Sequence, residues 1–171
     1  MCVSSHQQTY VFLSRLLSLG IEQHVDACVH CRGRAEQALS MSGTAFVTGA
    51  SRGIGLSLVQ QLLRRFPALK VAAASRTASV TPELAALAEK YPGRLLPTDL
   101  DMSDSDSITE AAAAAVGKDE DCPLLFHGAA IMHPSGKGEN TVARLNGADM
   151  GVVMSTNVVG PALLTGALCA L

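Results

Sequence analysis

Thr48-Gly49-Ala50-Ser51-Arg52-Gly53-Ile54-Gly55 is the stretch that decides the fold. A short β-rich run, Ala45-Phe46-Val47, precedes it. A longer run from about Ile54 to Arg65 follows, with Leu58, Leu62 and Leu63 at helical spacing and Arg64 and Arg65 where cations suit the helix dipole. A glycine-rich turn between a strand and a helix is where a dinucleotide pyrophosphate meets a helix N-terminus. Gly49 permits the tight turn, and Gly53 and Gly55 remove side chains where strand, helix and phosphate crowd together. Ser51, Arg52 and Ile54 complete the candidate phosphate-binding set. A P-loop would carry Lys and then Ser or Thr after its last glycine, whereas Leu56 and Ser57 stand here, which disfavours phosphoryl transfer.

Outward from this turn, β-rich and helical runs alternate, the signature of a parallel sheet covered by helices. Strand two is expected over Lys70 to Ser75, then a helix opened by Thr81-Pro82-Glu83, with Thr81 as N-cap, and closed near Tyr91-Pro92-Gly93. Strand three runs from about Arg94 to Leu100. A Ser/Asp-rich loop leads into a helix from Ile108 to Val116, Leu124 to His127 form strand four, and a last helix spans about Ala148 to Leu171. The expected fold class is α/β, a Rossmann-type doubly wound parallel sheet of which only the N-terminal portion, strands one to four, is encoded. Strand four is then an edge, and with the apolar last helix it predicts self-association.

Composition narrows the function. The 171 residues are 48% apolar and 16% charged, as in a single globular domain, and a net charge of −2 argues against nucleic acid as a partner. Five cysteines do not fit a fully paired secreted framework, which points to a reducing, cytoplasmic setting. Cys28-Val29-His30-Cys31 has the spacing of half a zinc site, but no second pair follows, so no metal is expected. No charge follows Asp149, yet Ser155, Thr156, Asn157 and Pro161 make a membrane anchor the lesser reading. Residues 1–40 are expected to be an appended, poorly ordered extension ahead of a domain starting near Met41. Glu22, Asp26 and Glu36 count against a transit peptide and an organellar location.

The Thr-Gly-x-x-x-Gly-Ile-Gly arrangement resembles the short-chain dehydrogenase/reductase family of NAD(P)-dependent oxidoreductases, from about Thr44 to the last residue. Asp101-Met102-Ser103-Asp104 is similar to the family's Asp-Val-x-Asp segment, which implies that Asp101 and Met102 flank the adenine. Asn157-Val158-Val159-Gly160 is similar to its Asn-Val-x-Gly motif, which makes Asn157 the match to the Asn of the catalytic tetrad. The family's Asn-Asn-Ala-Gly stands here as His127-Gly128-Ala129-Ala130; the usual Asn contacts are lost, while small residues still allow approach to the ribose.

An NAD-selective site places an acid about 20 residues past the glycine turn. Ser75-Arg76 stands there instead, and a guanidinium pairs with a 2′-phosphate, with Arg52 approaching from the glycine loop. NADP(H) is expected over NAD(H). The family's acid catalyst is a Tyr with a Lys four residues on, helped by a Ser. The tyrosines here, Tyr10 and Tyr91, are followed at that spacing by Ser14 and Leu95. His127 and His133 have no recognisable partner in the sequence.

The resemblance therefore implies the front half of an NADP(H)-dependent oxidoreductase of small carbonyl substrates, closest in pattern to C-factor-type carbonyl reductases and self-associating through its last helix. The alternatives are an inactive NADP(H)-binding or mixed-dimer module, and a fragment that does not fold alone.

Overall fold

The computed structural model describes residues 41–117, 120–136 and 145–171. The Cys28–Cys31 tetrad and the 1–40 extension lie outside the described residues. Strand β1, Gly43–Thr48, is buried from Thr44 onward. That is how a strand reads when helices cover both faces of its sheet. β2 (Leu69–Ser75) and β3 (Leu95–Asp99) extend the sheet on one side and β4 (Leu125–His127) on the other, giving the parallel order β3-β2-β1-β4. The registers Thr48↔Ala74, Thr48↔His127 and Ser75↔Asp99 align the C-terminal ends of all four strands.

Because neighbouring strand residues point to opposite faces, each strand feeds two cores. Ala45, Val47, Val71 and Ala73 meet Val59, Leu62 and Leu63 of α1 (Gly53–Arg65) and Leu84 of α2 (Pro82–Lys90). Phe46, Ala72 and Ala74 meet Ile108, Ala111, Ala112 and Ala115 of α3 (Ser105–Ala115) and Leu164 of α5 (Gly160–Cys169). Helices on both faces make the sheet doubly wound, as expected.

The differences from expectation have local causes. Val59 rather than Leu58 completes the buried face of α1, and Leu58 packs at its margin. Thr81 occupies the N-cap position of α2 without capping it, because its hydroxyl donates to the Thr77 carbonyl at 2.6 Å. α3 starts three residues early: the Asp104 carboxylate accepts from Asp106 N at 2.9 Å and draws the Ser/Asp run into the first turn.

The last helix has two segments, α4 (Gly147–Met154) and α5, joined by a π-helical turn over Ser155–Val159. Pro161 supplies no N–H to the ladder there. Gly160 presses on Met102 so closely that an added Cβ would stand 2.0 Å from its carbonyl oxygen. The whole span, Gly147–Cys169, is long and apolar enough to cross a membrane by length and composition alone. Most of this span is exposed; Gly160, against Met102, and Leu164, in the core beside Phe46, are its buried residues.

Candidate functional site

The glycine turn lies at the C-terminal end of the sheet, between β1 and α1. Gly49 (φ +70°) is held so close to the β4 side that an added Cβ would fall 2.7 Å from the Gly128 carbonyl. At Gly55 a Cβ would stand 2.2 Å from the Gly49 oxygen. Gly53 is different: its φ of +57° favours glycine, but an added Cβ would meet nothing within 4 Å. Two of the glycines are therefore required by packing, and the third faces open space. Ile54, 79% exposed, borders that space. No side chain caps α1 and no acid occupies its first turn, so the helix presents uncompensated N–H groups and the positive end of its dipole. This cradle fits a pyrophosphate. Ser51 and the exposed Arg52 sit on the same loop.

At the end of β2, the Ser75 hydroxyl is buried and has no hydrogen-bond partner among the described residues. A buried orphan hydroxyl is uncommon, and here it stands beside the exposed Arg76 where a ribose would be recognised. Arg76 makes no hydrogen bond among the described residues. Asp101, one strand end away, accepts from Ser103 N (2.9 Å) and Oγ (2.6 Å). These bonds, with a contribution from the Arg76 charge, hold its carboxyl below the usual range. Met102 is placed in the core, 4% exposed, beneath Gly160.

Thr48, quoted in the glycine motif but not singled out as a site residue, is the hub between β1 and β4. Its hydroxyl oxygen accepts from Gly128 N (3.1 Å) and Ala129 N (3.2 Å). Gly128 has no room for a side chain, since a Cβ would stand 2.7 Å from the Phe126 ring. His127 has a partner the sequence does not reveal: its Nε2 lies 3.1 Å from Thr165 Oγ1. Thr165 donates its hydrogen to the Pro161 carbonyl, so Nε2 is the donor in this contact. Burial also pushes the His127 pKa down. His133 likewise has partners, with Nε2 3.4 Å from Asp149 Oδ2 and Nδ1 2.7 Å from Ser135 Oγ. Asn157, in the π turn, accepts from Ile131 N (2.9 Å) and donates to Ile131 O (2.7 Å), fixing the segment that follows β4.

Glycine cradle, Ser75-Arg76, Asp101 and the Gly128-Ala129 turn all follow strand C-termini at the point where β1 is flanked by β2 and β4. In a doubly wound sheet this is the ligand-binding crevice.

Comparison with known proteins agrees. The chain is 30% identical over 125 residues to an NADP-dependent 3-hydroxy acid dehydrogenase of Schizosaccharomyces pombe, an alignment covering 73% of this chain and 47% of that protein. An NADPH-bound carbonyl reductase from chicken fatty liver superimposes with a TM-score of 0.67 at 35% identity, over 77% of this chain and 48% of its own. A carbonyl reductase from Pseudomonas aeruginosa PAO1 in complex with NADP gives 0.65 at 30% identity, over 76% and 56%. The chain thus spans about half the length of such relatives. The short chain dehydrogenase family profile matches residues 43–171. Since that match takes in every described strand and helix, the chain belongs to the short chain dehydrogenase family.

Proposed function

We propose that this chain is the NADP(H)-binding part of an oxidoreductase that reduces small carbonyl compounds or oxidises the corresponding alcohols. The observation that carries the cofactor assignment is Arg76 beside the orphaned Ser75 hydroxyl, at the position where an acid would select NAD(H). The NADP-dependent relative and the NADP- and NADPH-bound carbonyl reductases support it. They also support the small carbonyl reductase type, of which the C-factor branch is the pattern favoured by the sequence.

When bound, the cofactor supplies or accepts the hydride. The residues of this chain bind and orient it. Gly49, Gly53 and Gly55 keep the cradle open, and the first turn of α1 neutralises the pyrophosphate. Arg76 and Arg52 take the 2′-phosphate, and Asp101 and the Met102 backbone border the adenine. His127, Gly128 and Ala129 border the ribose. Asn157 acts through Ile131, holding the β4 exit in place. No Tyr-x-x-x-Lys pair occurs among the 171 residues. Met150, Val152, Val158, Val159 and Leu163, all exposed, favour self-association through the last helix, and the odd number of cysteines favours a cytoplasmic setting.

Retention on immobilised 2′,5′-ADP tests the assignment. Elution by NADPH but not by the same concentration of NADH is expected, and passage through the matrix without retention would refute it.

A further inference from the structure

The segment carrying Arg76 is fastened at its far end by one side chain from a neighbouring strand. Asp99, the last residue of β3, accepts from the Ser79 backbone N–H with Oδ1 (2.9 Å) and from the Ser79 hydroxyl with Oδ2 (2.6 Å). Asp99 is also the register partner of Ser75, the residue that precedes Arg76. The other hydrogen bonds of this segment are local, and one small side chain anchors it in the core. Val80 N donates to Thr77 O at 3.3 Å, the Thr81 hydroxyl donates to the same carbonyl, and the small Ala78 side chain is buried. Without Asp99, the turn from Arg76 to Val80 is bonded beyond Ser75 only to itself and to Thr81.

From this geometry we infer that Asp99 is a specificity-determining positioning residue: by clamping Ser79 it holds the Arg76 turn in the shape that recognises the cofactor's 2′-phosphate. The inference rests on the NADP(H) reading above. Bidentate pairing of a guanidinium with a phosphate depends on a pre-set fork, so ordering the turn in advance contributes directly to affinity. The direction of the effect is diagnostic. A carboxylate near a phosphate repels it, so simple electrostatics predicts that removing Asp99 tightens NADPH binding. A clamp predicts that removal weakens it.

The test measures dissociation constants of NADPH and NADH for the full chain and for its Asp99→Ala and Ser79→Ala variants, with melting curves to confirm folding. Asp99→Ala is expected to weaken NADPH about tenfold and to leave NADH within about twofold. Ser79→Ala changes no charge and keeps the backbone bond, so it should shift NADPH alone by roughly threefold. Unchanged or tighter NADPH binding overturns the clamp, as does an equal loss for both cofactors, which is the mark of a merely structural residue. Should Asp99→Ala fail to fold, Ser79→Ala decides by the same criteria. If the unsubstituted chain does not prefer NADPH, the NADP(H) reading falls and the clamp with it; if it does and both variants keep that preference, only the clamp falls.

Discussion

The Asn157 side chain grips the backbone of Ile131 at both its N–H and its C=O, at 2.9 and 2.7 Å. One amide thereby ties the last helix to the exit of β4 across 26 residues of sequence. Asn157→Ala leaves both Ile131 groups without their partner and should cost about 1–3 kcal/mol of stability. Urea denaturation measures the loss. A variant within about 0.5 kcal/mol of the wild type would show that the clamp is dispensable.

The glycines of the cradle should separate folding from binding. Gly49→Ala meets the Gly128 backbone and a positive φ together, and should lose about 2–5 kcal/mol. Gly53→Ala carries the φ strain alone, about 1–2 kcal/mol, but projects a methyl into the open space assigned to the pyrophosphate. Thermal melts and cofactor titration of the two variants should show Gly53→Ala folded and non-binding.

Arg76→Ala should weaken NADPH by roughly 10- to 100-fold through loss of a charged pair, and NADH hardly at all. Equal losses for the two cofactors would refute the 2′-phosphate assignment.

Acid should destabilise the domain by an identifiable route. Glu120 is held below the usual carboxylate range by the Thr44 hydroxyl (2.8 Å), aided by Lys70 (3.2 Å); Ser79 does the same for Asp99 and Ser103 for Asp101. A group with a lowered folded pKa adds stability above its ordinary value and loses it as pH falls through the lowered one. Burial lowers His127 as well, so charging it as pH falls is harder in the folded than in the unfolded state, which adds to the loss of stability in acid. The stability gap between wild type and Glu120→Gln should therefore narrow as pH drops through the lowered Glu120 value. A gap independent of pH would contradict this.

The parallel sheet and the glycine cradle are legible in the sequence because they depend on short-range signals: apolar runs of strand length, helical spacing, and glycines at a strand-helix junction. Arg76 is legible for the same reason, being placed by its distance from that turn. The partners of His127, His133 and Asn157 are not, since Thr165, Asp149 and Ile131 reach them only through folding. The start of α3 is obscured because Ser and Asp read as loop until Asp104 is seen to cap them. Thr48 sits inside the motif, but its role depends on two N–H groups about 80 residues away, which no local pattern reports.

Parallel titrations of the full chain with NADPH and NADH, followed by ligand fluorescence, test the central claim most directly. Saturable binding with NADPH preferred by about tenfold or more is predicted. No saturable binding, or NADH bound as tightly as NADPH, would contradict the account.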